Sequence, residues 1–549
     1  MSETTAAPAQ GISMLDRIER LGNRVPHPVM MFVYLIIGVA VISHVLYLFD
    51  VSVVEEVAVP VQSPGPVDEH GGLGGSDVEY PLYPDEPDYV PDYEIVEQEI
   101  TVESLLTTDG IRFVLTSFVD NFAAFAVVAV IFVAMMGVGV AEEAGLMAAL
   151  IRKMVAVAPR GVIAFILIFV GVLSSVASDA GYLILIPLAA AAFATLGRHP
   201  LAGLAAAFAG VGAVFGVNIV ITPIDSMLTE ITNEAIGLTS AEPITVTANF
   251  FFSAVSAVVI ALVAMVVTQR IIEPRLGPWG GTALDAGEED QTVEEQEAEA
   301  RGLRFALYAL VAIVVLILIA TLPPGSPLRH PETGEVIGST PFMESLIFLI
   351  TLIFLACGIF YGIGARTITN SSGVIAAVTK TFSGLAGLVF MLLLIAQFIA
   401  YFNFTNIPRV AAAQMAGLLE RANIPALALL VLLIVVILVL DIILPGVVPK
   451  WAIFAPVFIP IFVRLGITPQ TVLAAYRIGD SPTNVITPLM VYLPFIVTVA
   501  QRYQKDAGLG TVVALMLPYT LFIALAWVAL FVLWFLLGLP LGPGYPVSA

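Results

Sequence analysis

The chain has 549 residues, of which 59% are hydrophobic and only 12% are charged, with a mean hydropathy of +0.99. Soluble domains are about 45–50% apolar, so this composition excludes an ordinary soluble protein and indicates an integral membrane protein. The formal net charge of −21 comes without a basic patch, which argues against nucleic-acid binding. The single cysteine, Cys357, excludes an intramolecular disulfide and argues against a metal cluster.

Nine apolar runs are long enough to cross the roughly 30 Å of bilayer hydrocarbon as helices. They lie near residues 27–49, 112–140, 200–222, 247–269, 303–322, 343–364, 383–403, 470–497 and 511–538. Two further apolar blocks, 162–196 and 425–464, are too long for one helix and are each broken in the middle. Irregular backbone at membrane depth is tolerated only within protein or beside a water-filled cavity. Each block is therefore predicted to be a re-entrant helical hairpin; the alternative is two ordinary helices with a surface turn.

The distribution of basic residues predicts the orientation of the chain. Three arginines lie in residues 1–26, and neither Lys nor Arg occurs again before Arg112. Because basic residues collect in cytoplasmic loops, the N-terminal segment is predicted to be cytoplasmic and the acidic loop 50–111 extracytoplasmic. The N-terminus lacks the apolar core of a signal peptide, so we expect no removable signal. The acidic linker 271–302 is predicted to be cytoplasmic.

The linker separates two membrane halves, residues 27–270 and 303–549, each with one predicted hairpin. Counting crossings places the two hairpins on opposite faces of the membrane, as an inverted-topology repeat requires. Similar motifs follow the two hairpins, Asn218-Ile-Val-Ile-Thr-Pro223 and Asn484-Val-Ile-Thr-Pro488. The fold class predicted is an all-α membrane protein with about nine transmembrane helices and two re-entrant hairpins.

The most unusual segment is the run Tyr476-Arg-Ile-Gly-Asp-Ser-Pro-Thr-Asn-Val-Ile-Thr-Pro488, which carries charges and helix breakers inside an apolar crossing. An Arg or Asp costs about 2.5–3.5 kcal/mol at the bilayer centre, so such residues indicate a functional site. Arg477 is a candidate to bind a substrate carboxylate through its planar guanidinium, and Asp480 is a candidate to hold a proton or ion. Alternatively, Arg477 and Asp480 form a structural ion pair on one helix face.

The predicted hairpin tips offer further candidates. Asp179, in the first tip, would bind a proton, Na⁺ or substrate; alternatively its carboxylate caps the return helix. Trp451, just after the second tip, would stack on an aromatic ring, or else is a packed tryptophan with its N–H satisfied. Asp441, on the entry arm of the second hairpin, is a further candidate. Asn403 could reach the cavity in which the substrate would bind.

Side-chain oxygens near the breaks suit a hard cation such as Na⁺. Asn218, Thr222, Asn484 and Thr487 are predicted to take part in ion coupling, and Na⁺ could bind at Asn218, Asn484 and Thr487. The alternative is that they only form hydrogen bonds between helices. Asp225 is predicted to be interfacial, near a helix end. We expect no cofactor other than a coupling ion, H⁺ or Na⁺.

Several long motifs carry a family resemblance in the right order along nearly the whole chain. They are Leu15-Asp-Arg-Ile-Glu-Arg-Leu-Gly-Asn-Arg-Val-Pro-His-Pro28, Ser174-Ser-Val-Ala-Ser-Asp-Ala-Gly-Tyr182, Gly216-Val-Asn-Ile-Val-Ile-Thr-Pro-Ile-Asp225, Lys450-Trp-Ala-Ile-Phe-Ala-Pro-Val-Phe458 and Tyr476-Arg-Ile-Gly-Asp-Ser-Pro-Thr-Asn484. With these motifs the chain resembles the p-aminobenzoyl-glutamate transporter (AbgT) family, itself similar to other hairpin-containing ion transporters.

The resemblance implies a homodimer in the bacterial inner membrane that imports p-aminobenzoyl-glutamate, exports sulfonamide antimetabolites, or both. It also implies a set of residues along the substrate pathway, namely Asp179, Trp451, Pro469, Arg477, Asp480 and Pro488. One position departs from the family pattern, since Val448 stands where a small hydroxyl residue is expected at the second hairpin tip.

We therefore expect a secondary active transporter driven by a proton or cation gradient. The alternative is a Na⁺-coupled carrier of di- or tricarboxylates, suggested by Ser481-Pro-Thr-Asn484. An enzyme would need a nucleophile–base pair or a metal cluster at membrane depth, and the sequence offers no His or Cys to build one. A channel does not fit two inverted hairpins that frame a closed central site.

Overall fold

The fold was analysed in a computed structural model, which describes residues 28–60, 93–157, 159, 162–177, 181–279, 292–337, 340–422, 424–444 and 446–548. Within these ranges the chain is helical except for one β-ribbon and irregular connections. The all-α membrane class is thereby confirmed.

The described residues between 28 and 279 form eleven helices, several of them short. They are α1 (Pro28–Leu48), α2 (Thr108–Thr116), α3 (Phe118–Ala124), α4 (Ala126–Glu143), α5 (Leu146–Ala156), α6 (Ile163–Ser174), α7 (Ile186–Thr195), α8 (Pro200–Phe208), α9 (Pro223–Ile236), α10 (Phe250–Val267) and α11 (Glu273–Leu276). A 3₁₀ turn follows α6 at Ser175–Ala177. Single π-turns lie at Gly181–Leu185, Ala209–Ala213 and Thr268–Ile272.

The described residues from 292 onward form ten further helices. They are α12 (Val293–Thr321), α13 (Pro341–Ala365), α14 (Ser371–Gly384), α15 (Ala386–Phe404), α16 (Ile407–Ala422), α17 (Ala426–Asp441), α18 (Val447–Arg464), α19 (Pro469–Asp480), α20 (Leu493–Gln501) and α21 (Leu509–Leu536). The buried share of each helix distinguishes peripheral helices from central ones. In its most apolar window, α12 is only 11% buried, whereas α18 is 61% buried. The second arm of the second predicted hairpin therefore lies in the core.

The predicted acidic loop 50–111 contains a β-ribbon that was not expected from the sequence. Strand β1 (Ser52–Pro60) pairs antiparallel with β2 (Tyr93–Thr101), in a register that sets Ser52 opposite Thr101 and Pro60 opposite Tyr93. The ribbon is tied to the membrane part, because the amide of Glu103 donates to the carbonyl of Thr405.

Eight helices in the described ranges are long and apolar enough to cross a membrane. Seven coincide with predicted crossings, and the eighth is α18, which we assigned to the second hairpin. The predicted crossings 200–222 and 470–497 are broken: α8 gives way to a π-turn, and α19 ends at Asp480. The total of nine crossings and the re-entrant course of the hairpins stay predictions.

Both predicted hairpins are interrupted close to the expected positions. In the first, α6 ends at Ser174 and gives way to the 3₁₀ turn Ser175–Ala177, and the next described helical segment is the π-turn Gly181–Leu185. In the second, α17 ends at Asp441 and α18 begins at Val447, after Gly446 with φ 106°. This backbone conformation favours glycine. Pro449 falls within the first turn of α18 because a proline there forfeits no intrahelical hydrogen bond.

Candidate substrate and ion site

A cavity of about 650 Å³ lies where the two hairpin breaks meet the two broken crossings. Its lining is mostly apolar and comprises Ile131, Met135, Ser175, Val176, Tyr182, Phe215, Pro223, Ile224, Met227, Leu385, Leu388, Gly446, Val447, Val448, Asn484, Leu489, Met490, Val491 and Tyr492. Sites for small molecules are typically about 300–1,000 Å³ and largely apolar with a few polar groups. This cavity is therefore the candidate substrate site.

Aromatic side chains form one wall of the cavity. The rings of Tyr182 and Tyr492 are stacked, with centroids 4.3 Å apart and an interplanar angle of 11°. Phe215 contributes a third ring to the lining. Tyr182 follows the first hairpin break and Tyr492 lies in the broken crossing of the second half, so the two halves together build this wall.

The first turns of two helices open onto the cavity, α9 through Pro223 and α18 through Val447. A helix N-terminus presents free N–H groups and a partial positive charge, which favour anions. In α9 these groups are capped, because Thr222 and Asp225 form a reciprocal capping box. In α18 the N-cap residue is Gly446, and no side chain of the described residues makes a capping hydrogen bond there. The N-terminus of α18 is thus the better place for a carboxylate.

Polar side chains near the breaks hold irregular backbone in place. Asn218 donates through Nδ2 to the carbonyl of Val172 at 3.0 Å and to the hydroxyl of Ser175 at 2.9 Å. In the second half, the Thr487 hydroxyl donates to the carbonyl of Ile442 at 2.8 Å. In each half, a hydrogen bond therefore joins the broken crossing to the end of the first arm of that half's predicted hairpin.

The side chains of the predicted Na⁺ ligands Asn218, Thr222 and Thr487 are accordingly engaged in hydrogen bonds. Asn218 Oδ1 accepts the amide of Ile219 at 2.7 Å, and the Thr222 hydroxyl donates to Asp225 at 2.8 Å. Asn484 instead lines the cavity. These contacts favour the alternative of helix-packing hydrogen bonds for Asn218, Thr222 and Thr487. A Na⁺ site stays a prediction.

Arg477 pairs with Asp225, not with Asp480, which corrects the structural pairing considered above. The guanidinium Nη1 forms an ion pair with Asp225 and donates to the Gly216 carbonyl at 3.2 Å. The Arg477 side chain is 5% exposed and that of Asp225 13%. Spacing along α19 could not reveal this partner, because it comes from the other half of the chain.

Asp480 belongs to a different charged cluster. The Lys450 ammonium forms an ion pair with Asp441 and lies 2.8 Å from Oδ1 of Asp480. The Thr483 hydroxyl donates to Oδ2 of Asp441 at 2.7 Å. Lys450 was not predicted to be a site residue. A lysine beside a predicted hairpin tip was the available signal, since an unpaired ammonium at membrane depth is costly.

Trp451 lies outside the cavity lining and is fully buried. Its ring stacks on Tyr476 at 4.4 Å, and its indole N–H donates to the Thr232 hydroxyl at 2.9 Å. This geometry is that of a packed tryptophan with its N–H satisfied. Stacking of Trp451 on substrate is a prediction that this arrangement does not support.

The remaining candidates lie apart from the cavity lining. Pro469 begins α19, Pro488 lies in the irregular segment after it, and Asn403 lies near the end of α15. Oδ1 of Asn403 is buried and has no hydrogen-bond partner among the described residues. Asp179 falls outside the described residues, so its predicted role stays a prediction.

Comparison with known proteins places the chain in a family. Residues 13–549 match the model of the AbgT putative transporter family. The chain is 33% identical over 531 residues to the p-aminobenzoyl-glutamate transport protein of Escherichia coli (strain K12), covering 96% of both proteins.

Two solved structures share the fold. The YdaH transporter of Alcanivorax borkumensis, described as having an unusual topology, gives a TM-score of 0.81 at 34% identity and covers 94% of this chain and 100% of that one. MtrF of Neisseria gonorrhoeae, described within a class of antimetabolite efflux pumps, gives a TM-score of 0.82 at 37% identity. It covers 97% of this chain and 100% of that one. None of these proteins is described as a dicarboxylate or tricarboxylate carrier, so that alternative is not favoured. The chain belongs to the AbgT transporter family.

Proposed function

We propose that the protein is a secondary active transporter of p-aminobenzoyl-glutamate-type compounds. The observation that carries this proposal is the cavity of about 650 Å³ between the two hairpin breaks and the two broken crossings. Secondary transporters bind substrate where discontinuous helices meet at the interface of two repeats. The 33% identical E. coli protein is named for p-aminobenzoyl-glutamate transport.

The cavity offers matching chemistry for the two ends of such a molecule. The aminobenzoyl ring would pack against the stacked rings of Tyr182 and Tyr492. A glutamate carboxylate would lie at the N-terminus of α18, beside Val447 and Val448, where free backbone N–H groups favour an anion. Arg477 is engaged by Asp225 in this conformation and would reach a carboxylate only after that pair opens.

Export of sulfonamide antimetabolites is a second candidate function of the same cavity. MtrF, 37% identical to this chain, is described within a class of antimetabolite efflux pumps. An antibacterial sulfonamide carries the same aminophenyl ring as p-aminobenzoyl-glutamate but lacks the glutamate carboxylates. It would therefore use the aromatic wall and not the N-terminus of α18.

The energy source proposed is a proton or Na⁺ gradient, and we expect binding and release of substrate without covalent chemistry. We further propose a homodimer in the bacterial inner membrane with a cytoplasmic N-terminus. The distribution of Lys and Arg supports this orientation. This orientation is tested with an Asp109→Cys variant, which an impermeant thiol reagent should label from the extracytoplasmic side.

Uptake of radiolabelled p-aminobenzoyl-glutamate into proteoliposomes tests the proposed function. The wild-type protein, under an imposed proton or Na⁺ gradient, should accumulate the compound above equilibration. Loss of the ring in Tyr492→Ala should lower the affinity about two- to twelvefold, because an aromatic contact contributes roughly 0.5–1.5 kcal/mol. Tyr492→Phe keeps the ring and should retain most of the wild-type affinity.

Tyr308→Ala is the matched control, because Tyr308 is 65% exposed on α12 and lies outside the cavity lining. The proposed substrate is wrong if folded wild-type protein accumulates no label under either gradient. The proposed contact between the substrate ring and the aromatic wall is wrong if Tyr492→Ala and Tyr308→Ala take up the compound with equal affinity. Sulfonamide export is tested with the same vesicles by competition between unlabelled sulfonamide and the labelled compound.

A further inference from the structure

Three charged side chains meet in the protein interior beside the second hairpin break. Asp441 ends α17, Lys450 lies in the first turns of α18, and Asp480 ends α19. The Lys450 ammonium contacts a carboxylate oxygen of each aspartate, and the three side chains are 0%, 0% and 1% exposed. We call Asp441, Lys450 and Asp480 the buried charge cluster.

The charges of this cluster do not balance. Two carboxylates and one ammonium leave one uncompensated negative charge when all three groups are ionised. Among the described residues, the side chains that form hydrogen bonds to the two aspartates besides Lys450 are the neutral hydroxyls of Tyr476 and Thr483. Arg477 is paired with Asp225. Burying an unpaired charge is strongly unfavourable, so one bound proton would make the cluster neutral.

The hydrogen bonds indicate which oxygen receives the proton. Both oxygens of Asp441 have partners, Oδ1 with Lys450 and Oδ2 with Thr483. Oδ1 of Asp480 faces Lys450, whereas its Oδ2 is buried and has no hydrogen-bond partner among the described residues. We propose that the buried charge cluster is the site of the coupling proton, held on Oδ2 of Asp480; this inference rests on the proposed transport function.

The cluster is linked to the substrate cavity through one tyrosine. The Tyr476 hydroxyl lies 2.5 Å from the carbonyl oxygen of Val447 and 3.3 Å from Oδ1 of Asp480. Val447 lines the cavity and belongs to the first turn of α18. Lys450 lies on the same helix three residues later. The protonation of Asp480 therefore acts on the part of α18 that borders the substrate, through both Tyr476 and Lys450.

This link provides a physical basis for coupling. Loss of the proton restores a second buried carboxylate that attracts Lys450, whereas protonation releases that attraction. A ligand shifts a conformational equilibrium only by binding its states unequally. Here the proton and the substrate both bias the position of the second hairpin break, so each can influence the binding of the other.

Infrared spectroscopy of the reconstituted full-length protein tests the site without any substrate. A pH-difference spectrum of the wild type should contain the stretching band of a buried protonated carboxyl group. The band should be lost in Asp480→Asn. It should also be lost in Asp441→Asn, because one carboxylate then balances Lys450 and no proton is needed. Glu143→Gln, at the surface pair with Lys380, should leave the band unchanged.

Transport measurements then separate coupling from substrate binding. Asp480→Asn resembles the permanently protonated state and should lose proton-driven accumulation of p-aminobenzoyl-glutamate. It should still exchange labelled for unlabelled substrate across the vesicle membrane. Glu143→Gln should keep both activities. If Asp480→Asn does not fold, Asp441→Asn and the wild-type spectrum still test the site.

The possible outcomes distinguish this inference from the proposed function. Absence of the carboxyl band in the wild type, or its persistence in Asp480→Asn, overturns the proton site. Proton-driven accumulation that survives in Asp480→Asn also overturns it. A wild type that shows the band, loses it in Asp480→Asn and yet transports no p-aminobenzoyl-glutamate supports the proton site and removes the proposed substrate.

Discussion

At the scale of single residues, the sequence identifies the charged positions but not their partners. Arg477 and Asp480 stand out because they lie within an apolar crossing, and both are buried. Their partners, Asp225 and Lys450, come from other helices. Such pairs depend on how the helices pack, and spacing along a single helix carries no information about that packing.

The pair between Arg477 and Asp225 yields a prediction about stability. Asp225→Asn would leave the guanidinium buried without a counter-ion and would also weaken the capping box of α9. Removing one partner of a buried pair typically costs about 3–5 kcal/mol. We therefore expect a clearly lower thermal unfolding temperature in detergent, measured by intrinsic fluorescence.

Glu143→Gln provides the comparison for this prediction, since it removes one partner of a pair whose Lys380 side chain is 72% exposed. Exposed pairs contribute only about 0–1 kcal/mol. Equal unfolding temperatures for Asp225→Asn and Glu143→Gln would show that the buried pair does not stabilise the fold.

At the scale of elements, local sequence predicts the breaks better than it predicts the ribbon. Glycine, proline and serine interrupt helices through their own backbone preferences. The interruptions after Ser174 and before Val447 could therefore be located from sequence. The pairing of β1 with β2 could not, because residues 61–92 separate the two strands, so that the pairing joins distant parts of the chain.

Close packing of α17 against α19 gives a prediction at this scale. A Cβ added at Gly479 would lie 2.6 Å from Cβ of Ile437 and 2.9 Å from the carbonyl oxygen of Ile434. Gly479→Ala should therefore push apart the two helices that carry Asp441 and Asp480. Overpacking of this kind costs about 1–3 kcal/mol, and thermal unfolding in detergent should report it.

Gly387→Ala is the matched control, because a Cβ at Gly387 meets nothing within 4 Å. Alanine is favoured over glycine inside a helix by up to about 1 kcal/mol, so this variant should be as stable as the wild type or more so. A Gly479→Ala protein as stable as Gly387→Ala would contradict the close approach of α17 and α19.

At the scale of the whole molecule, segments from both halves of the chain surround the cavity. Each half contributes a hairpin break and a broken crossing to the lining, through Ser175 and Phe215 in the first half and Val448 and Asn484 in the second. The paired motifs after the hairpins indicated two related halves from sequence alone. The cavity itself was not predictable in detail, since Trp451 lies outside its lining and Tyr182 and Tyr492 lie within it.

The central claim is that substrate binds between the two hairpin breaks, and substrate protection of single cysteines tests it most directly. In a Cys357→Ser background, Val176→Cys and Val448→Cys would place one thiol at each break. Labelling by an impermeant maleimide should slow at both positions when p-aminobenzoyl-glutamate is present, while Asp109→Cys should react at the same rate. Unchanged labelling at both breaks, in variants that still bind the compound, would contradict the account.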